Sequence, residues 1–143
     1  MDFKLIFTFL KALSKNNNRE WFEKNKGQYL KAKENFEGFV SGLLKEVVKF
    51  DGSLAGLDPK KLTFRIYRDV RFSKDKSPYK TNMGATFSPG GKLMNKPGYY
   101  LHLEPNKSFV AGGLYMPAPE DVAKVRQEID YEGKKLEAIF KST

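Results

Sequence analysis

The segment FRIYRDVRFSKDKSPYKT, residues 64–81, lies where the hydrophobic pattern of the chain changes from helical to strand spacing. Leu62, Phe64 and Ile66 alternate with polar or amphipathic residues, which predicts a strand with one buried face. The residues before this segment have helical spacing, and three further short strands are predicted after it. The order of helices, strands and a final helix predicts an α+β fold, with helices against one face of an antiparallel sheet.

Two helices are predicted in the first third of the chain. The first covers residues 3–13, where apolar residues recur every three or four positions. Asparagines at residues 16–18 predict a turn followed by an N-cap. The second helix runs over about residues 19–49 and would be about 45 Å long at 1.5 Å per residue. Its internal glycines, of which Gly38 is central, indicate a bend or a close backbone contact.

An antiparallel meander of about four strands and a C-terminal helix are predicted in the rest of the chain. A turn at residues 105–107 joins the last two strands as a hairpin. The C-terminal helix begins at Pro119, and Gly133 divides it. We expect a single domain over residues 1–143. The predicted strands cover residues 62–67, 84–88, 99–104 and 108–115.

The composition narrows the classes of protein. The chain has 143 residues, a net charge of +9, no cysteine and one histidine. Without cysteine there is no disulfide framework and no cysteine-bound zinc. A lone histidine disfavours a histidine-rich metal centre, so we predict neither a metal nor a cofactor. No run approaches the ~20 apolar residues of a membrane helix, and the N-terminus lacks a cleavage signal. We therefore expect a cytoplasmic protein without membrane insertion.

Basic residues are concentrated around residues 64–81. Residues 60–80 hold eight basic and two acidic residues, a net charge of +6 out of the total of +9. Guanidinium groups bind carboxylate and phosphate oxygens through paired hydrogen bonds, and lysines add point charge. Ser77 and Pro78 are expected to begin a short helical turn, whose free N–H groups would also bind an anion. The predicted ligand-binding residues of this segment are Arg65, Tyr67, Arg68, Arg71, Lys74, Lys76, Tyr79 and Lys80.

Two alternatives concern the same segment. Asp69 and Asp75 either orient the arginines or act as an acid or base. Arg65, Arg68 and Asp69 would otherwise form a structural ion-pair network with the second helix. The excess of positive charge favours a ligand site, because a structural network tends to balance its charges. The partner of such a network on the second helix would be Arg19, Glu20 or Glu23.

Tyr100, His102 and Glu104 alternate along a predicted strand and therefore share one face. A histidine two residues from a carboxylate is a candidate general base. We therefore take His102 and Asp69 as candidate catalytic residues, and Tyr100 and Glu104 as candidate ligand-binding residues. The alternative is a strand histidine that is exposed or hydrogen-bonded and has no catalytic role. If the same face carried the polar side chains of the first strand, the two groups would form one cluster.

Four blocks of the sequence are distinctive: NNNREWF (residues 16–22), FRIYRDVRFSKDKSPYKTNMGA (64–85), GYYLHLEP (98–105) and AGGLYMP (111–117). Together, and in this order, they resemble a conserved hypothetical family, domain of unknown function 2461. The resemblance covers essentially the whole chain and implies no activity, substrate or cofactor. Members of that family usually continue beyond the position of Phe140 with a partly basic, aromatic segment. We therefore expect this chain to be a fragment or to lack part of the usual domain.

We predict that the chain binds an anionic, phosphate-bearing small molecule through the basic segment and the neighbouring sheet face. Three alternatives stay open. One is an enzyme acting on a phosphorylated substrate, and another is a nucleic-acid-binding module that contacts backbone phosphates. The third is an interaction scaffold whose charged residues form a structural network. The chain contains no glycine-rich phosphate-binding motif, and its sequence does not indicate an oligomeric state.

Overall fold

The structure, a computed structural model, describes residues 2–91 and 96–142. The chain divides into two compact units, one ending at Gly113 and the other beginning at Leu114. The first unit holds the N-terminal helices and an antiparallel sheet, and the second holds a long helix. The α+β class is therefore confirmed. A single domain over residues 1–143 stays a prediction.

The first helix, α1 (Phe3–Lys15), confirms the helix predicted over residues 3–13 and is slightly longer. The Asp2 carboxylate caps it by accepting a hydrogen bond from the Leu5 backbone N–H at 3.0 Å. The predicted apolar stripe turns inward, although Phe3 at its start remains 43% exposed. The buried residues of α1 are Ile6, Phe9, Leu10 and Leu13.

The predicted second helix is two helices, α2 (Arg19–Lys24) and α3 (Lys26–Val48). Asn18 caps α2, as the asparagine turn predicts, by accepting from the Trp21 backbone N–H. A continuous helix over residues 19–49 was therefore a wrong prediction, and the break lies at Asn25. The Asn25 side chain donates to the Trp21 carbonyl at 2.8 Å, because a short amide competes with the helix for local backbone groups. The internal glycines of α3 do not interrupt it.

The predicted first strand, residues 62–67, is not a regular strand. A short turn of 3-10 helix at Gly52–Leu54 and helix α4 (Pro59–Leu62) precede residues that pair at only two isolated bridges. Thr63 bridges to Ala85, and Tyr67 bridges to Tyr79. Between these two points the backbone changes its hydrogen-bond partner. Phe64 bonds to Gly84, whereas Ile66 and Arg68 bond to residues 78–80, the returning limb of the same hairpin, so no continuous β-ladder forms. We call residues 65–80, which fold back on themselves around the second bridge, the basic hairpin.

The sheet contains three strands among the described residues, not about four, in the antiparallel order β1-β2-β3. His102 of β2 lies opposite Gly84 of β1 and opposite Phe109 of β3. The turn predicted at residues 105–107 joins β2 to β3, and Asn106 adopts a positive φ of 65° there. The strands are β1 (Met83–Phe87), β2 (Gly98–Leu103) and β3 (Phe109–Gly113).

The two faces of the sheet differ in chemistry. Leu101 and Leu103 are buried on one face in a core shared with the N-terminal helices. Because strand residues alternate, Tyr100 and His102 lie on the opposite face, which we call the outer face. The sheet residues of the core are Met83, Ala85, Phe87, Leu101 and Leu103, and the helices add Ile6, Phe9, Leu10, Leu13, Phe22, Ala32, Phe36, Val40, Leu44 and Val47.

The second unit contains helix α5 (Pro119–Lys141), which confirms the predicted C-terminal helix. Glu132 has non-helical dihedral angles and divides α5 one residue before Gly133, the predicted point of division. No described residue of α5 is buried, and Val125 and Ile129 on its apolar face are both more than two-fifths exposed. In the part of the chain that the structure describes, no helix is long and apolar enough to cross a membrane.

Candidate functional site

The outer face of the sheet carries a chain of hydrogen bonds that runs through Tyr100, His102, Glu104 and Thr81, and we call these four residues the outer-face cluster. The Tyr100 hydroxyl lies 3.1 Å from His102 Nδ1, and His102 Nε2 lies 3.2 Å from Glu104 Oε2. The Thr81 hydroxyl donates to Glu104 Oε1 at 3.2 Å. The three residues predicted to share a strand face are thus joined side chain to side chain.

The partners of the His102 ring determine its tautomer. An ionised carboxylate only accepts hydrogen bonds, so Nε2 of the neutral ring carries the proton that Glu104 accepts. Nδ1 is then free of a proton and accepts from the Tyr100 hydroxyl. Glu104 therefore orients the imidazole so that its acceptor nitrogen points at a phenol, an arrangement that can take up a proton from that phenol.

Aromatic rings and a glycine enclose the outer-face cluster. The Phe109 ring stacks on the His102 ring, with centroids 4.8 Å apart and planes 16° apart. The Phe64 ring meets the Tyr100 ring edge-on at 6.2 Å. A Cβ atom at Gly84 would lie 2.7 Å from the Tyr100 hydroxyl oxygen, so a glycine there lets Tyr100 lie across β1. The His102 side chain is 13% exposed as a result.

Three residues in or around the outer-face cluster were not predicted from the sequence: Gly84, Phe109 and Thr81. Gly84 carried a signal, because a glycine inside a strand pattern often marks a close approach by another group. Phe109 and Thr81 carried none, since only the strand register and the return of the hairpin limb bring them to His102 and Glu104.

Both aspartates of the basic hairpin are paired with arginines of the same hairpin. Arg71 forms a two-pronged pair with Asp69, with Nε 3.0 Å from Oδ1 and Nη2 2.7 Å from Oδ2. Arg68 pairs with Asp75 through Nη1 and donates to the Ser73 hydroxyl through Nη2. Each aspartate of the hairpin thus holds one arginine in place.

These pairs change the chemistry of the two aspartates. Hydrogen bonds from Ser77, followed by the Arg68 guanidinium, hold the pKa of Asp75 well below its usual range. Hydrogen bonds from Arg71 lower the pKa of Asp69. A lowered pKa makes a carboxylate a poorer proton acceptor, so the placement of Asp69 favours the role of orienting Arg71 over that of a base.

The helical turn predicted at Ser77 and Pro78 does not form. The Ser77 backbone N–H donates to Asp75 Oδ1 at 2.9 Å, so it is already used in a turn closed by a side chain. The following residues extend into the limb that pairs with Tyr67. The anion site expected from a helix N-terminus is therefore absent at this point of the hairpin.

The basic hairpin is attached to the N-terminal helices by an asparagine and an aromatic stack. Asn17 Nδ2 donates to the Tyr79 carbonyl at 2.9 Å, and the Tyr79 N–H donates to Asn17 Oδ1 at 3.1 Å. The Tyr79 ring stacks on Phe22 at 4.0 Å, and Tyr67 packs against both rings. Tyr79 is only 3% exposed, so it supports the fold, and its ring is not placed to meet a ligand as predicted.

The ion-pair network predicted between the hairpin and the second helix is not observed. Glu20 and Glu23 pair instead with Lys24 and Lys26. Within residues 2–91 and 96–142, no ion pair links Arg65, Arg68 or Asp69 to α2. The basic hairpin is therefore attached to the helical region by the hydrogen bonds of Asn17 and not by the predicted ion pairs.

The two predicted groups of site residues meet at one point. The Lys80 ammonium lies 5.5 Å from the centroid of the Phe64 ring, whose edge meets Tyr100, so Lys80 lies beside the outer-face cluster. Tyr67 packs toward Phe22 on the helical side instead. Arg68 and Arg71 make their pairs inside the hairpin, so these two arginines do not join His102 in one cluster.

Two cavities in the described part of the chain lie away from the outer-face cluster. A cavity of about 20 Å³ beside Ile66 and Met83 has room for roughly one water molecule. A wider open groove of about 750 Å³ follows α3 past Gly38 and Gly42. Neither of these two cavities is lined by His102 or by an arginine. In the same part of the chain, no group of three or more acidic or histidine side chains is arranged to hold a metal ion.

These features define a class of protein: an α+β chain with helices on one face of a three-stranded antiparallel sheet and a Tyr–His–Glu cluster on the other. A family model described as conserved hypothetical protein (DUF2461) matches residues 5–143. The chain belongs to this family, which confirms the family predicted from the four sequence blocks. No curated protein and no solved structure matches the chain.

Proposed function

We propose that the chain binds a phosphate-bearing anion on the exposed surface of the basic hairpin. The observation that supports this proposal is an excess of positive charge that remains after both aspartates of the segment have paired with arginines. Residues 60–80 carry a net charge of +6, although both aspartates of this stretch are already bound to arginines. A network that served only the fold would tend to balance its charges, because unpaired like charges repel one another.

The ligands in this proposal are the cations that the solvent reaches. Arg65, Lys74 and Lys76 are exposed. Arg71 remains 76% exposed while Asp69 fixes its orientation. An arginine held by a carboxylate loses less side-chain freedom when it binds a phosphate, so the pair prepares the site. Tyr79 leaves the ligand set because it is buried, and a cytoplasmic location remains part of the proposal.

The test compares two triple variants that each remove three positive charges. One neutralises the hairpin (Arg65→Gln, Lys74→Gln and Lys76→Gln), and the matched control neutralises exposed lysines of α1 (Lys4→Gln, Lys11→Gln and Lys15→Gln). Inorganic phosphate, pyrophosphate and polyphosphate are added at low salt, where exposed charges are least screened. We expect these anions to raise the Tm of the wild type and of the control, and to leave the Tm of the hairpin variant unchanged. The proposal would be contradicted if the anions raised the Tm of both variants equally, or if they did not raise the Tm of the wild type.

A second candidate function is an enzyme that transfers a proton on a phosphorylated substrate, and the hydrogen-bonded chain of the outer-face cluster favours it. In this hypothesis His102 accepts the Tyr100 hydroxyl proton through Nδ1, and Glu104 stabilises the resulting imidazolium. The Tyr100 phenolate then takes a proton from one atom of the substrate, and the imidazolium returns a proton to another atom of the substrate, which restores both side chains. Lys80, beside the cluster through Phe64, would attract the phosphate. Asp69, the other candidate catalytic residue, is a weaker candidate because its pKa is lowered.

The test of the second candidate is turnover of a panel of phosphate esters by the wild type, Tyr100→Phe and His102→Gln. We expect each substitution to lower kcat by about 100-fold or more, as loss of general base catalysis does, with a smaller change in KM. Circular dichroism of the variants checks that the fold is retained. Turnover that survives His102→Gln, or wild-type protein that turns over no phosphate ester, would exclude this candidate.

A further inference from the structure

Phe72 at the tip of the basic hairpin is the most exposed large hydrophobic side chain among the described residues, with 95% of its surface accessible. The Arg71 guanidinium carbon lies 5.7 Å from the centroid of its ring. Asp69 holds that guanidinium through two hydrogen bonds. The ring therefore lies beside an oriented cation, and most of its surface is open to solvent.

Basic residues flank Phe72 in the sequence. Arg71 precedes it, and Lys74 and Lys76 follow within four residues, all exposed. Proteins that bind single-stranded nucleic acid combine these two elements: bases stack on exposed aromatic rings while phosphates lie on cations beside them. From this juxtaposition we infer that the ligand of the basic hairpin is a single-stranded nucleic acid, one of whose bases stacks on Phe72. The inference rests on the proposed function, because it names the anion that the hairpin binds.

The surroundings of Phe72 favour a polymer over a small molecule. Residues 69–77 form an open tip that lines neither of the two cavities described above. A small phosphate ester is normally enclosed in a concave site, whereas a strand of nucleic acid can lie along an exposed surface. A paired base is already stacked inside its duplex, so the same geometry selects single strands over duplexes.

An anionic membrane surface is the competing partner, because it also attracts cations and accepts an apolar ring. The tip of the hairpin offers a bilayer little apolar area beyond the Phe72 ring, since the neighbouring Val70 is partly buried. Stable attachment to a bilayer needs more apolar surface or a second anchor. A single aromatic ring is sufficient for stacking on one base, so nucleic acid is the better match.

The test measures binding of fluorescein-labelled oligo(dT) by anisotropy at about 50 mM salt, where phosphate contacts are strong. The variants are Phe72→Ala, Phe72→Leu and Phe72→Trp, together with Phe50→Ala as a control that removes an exposed phenylalanine outside the hairpin. We expect Kd to rise about 5- to 100-fold in the alanine and leucine variants, because base stacking is lost. Phe72→Trp and Phe50→Ala should keep Kd within about threefold of the wild type.

A second readout reports stacking directly. In Phe72→Trp, oligo(dT) should quench tryptophan emission. The wild type, whose only tryptophan is Trp21, should show no matching change. Duplex DNA of the same length should bind the wild type more weakly than oligo(dT).

The outcomes separate this inference from the proposed function. If oligo(dT) does not bind but the phosphate anions still raise the Tm through the hairpin cations, the inference is wrong and the proposed function stands. If neither oligo(dT) nor any anion binds, both are wrong. Equal affinity for duplex and single strand, or an unchanged Kd in Phe72→Ala, also overturns the inference. So does binding of phosphatidylserine–phosphatidylcholine vesicles that Phe72→Leu preserves while oligo(dT) is not bound.

Discussion

The side-chain amide of Asn17 pairs with both backbone polar groups of Tyr79, one hydrogen bond in each direction. Asn17 thus acts toward the hairpin limb as a neighbouring strand would, and it lies 62 residues away in the chain. The stacked rings of Phe22 and Tyr79 lie beside this contact. The Asn17 amide and the Phe22–Tyr79 ring pair therefore both help to fix the basic hairpin against the helices.

Asn17→Ala should lower the free energy of unfolding by about 2–3 kcal/mol, because it leaves the Tyr79 N–H and carbonyl without partners at a partly buried point. Urea denaturation measures the change. Asn16→Ala is the control, since it removes one exposed hydrogen bond to the Ala12 carbonyl and should cost about 0.5 kcal/mol. Similar losses in the two variants would show that the Asn17 contact does not stabilise the hairpin.

Gly98→Ala should destabilise the pairing of β1 with β2. A Cβ atom there would overlap the Phe87 carbonyl oxygen and lie 2.9 Å from the Ser88 Cα, and backbone atoms cannot move aside as a flexible side chain can. We expect a loss of about 1–3 kcal/mol, the usual range for overpacking, measured by thermal unfolding. In Gly112→Ala the nearest atom would be the Tyr99 ring at 3.8 Å, so that control should change stability by about 0.5 kcal/mol or less.

His102 should occur in its neutral form as the Nε2–H tautomer, because Glu104 accepts from Nε2 and Tyr100 donates to Nδ1. The chain has one histidine, so its ¹⁵N chemical shifts are assigned without ambiguity. Gly84→Ala should push the Tyr100 hydroxyl away from His102 and leave the fold intact, since the tip of a side chain can move. The Nδ1 shift of this variant should match that of Tyr100→Phe. An Nδ1–H tautomer in the wild type would contradict the geometry.

Acid should weaken the basic hairpin through Asp75. Its pKa is lower in the folded protein than in the unfolded chain, because Ser77 and Arg68 hydrogen-bond to the carboxylate. The stabilisation is therefore present above the unfolded pKa of about 4 and is lost as the pH falls below that value towards the lower folded pKa. In Asp75→Asn we expect a lower free energy of unfolding near neutral pH. As the pH falls from about 4 to about 2, the free energy of unfolding of the wild type should approach that of Asp75→Asn. If urea denaturation gave the two proteins the same pH dependence of the free energy of unfolding, the Asp75 pair would not contribute to the acid sensitivity.

Local patterns predicted the elements whose form depends on neighbouring residues in the chain. The apolar stripe of α1 and the asparagine cap before α2 were predicted at the right residues. The turn between β2 and β3 and the division of α5 were predicted in the same way. Alternation alone predicted that Tyr100, His102 and Glu104 share a face, because the strand period needs no tertiary contact.

Local patterns did not predict the choice between competing partners. Residues 62–67 alternate like a strand, yet their backbone bonds divide between β1 and the returning hairpin limb. The helix predicted over residues 19–49 breaks because the Asn25 side chain bonds to the helix before it. In both places several backbone pairings were available to the same sequence, and packing selected one.

The sequence by itself determined the α+β class, the placement of basic charge in residues 60–80 and the shared face of Tyr100, His102 and Glu104. These follow from composition and periodicity, which are properties of neighbouring residues. Only the tertiary structure decided that Asp69 and Asp75 each hold an arginine, that Tyr79 is buried against Phe22, and that Phe109 covers His102. Such contacts join residues by register and chain reversal, and a one-dimensional pattern contains neither.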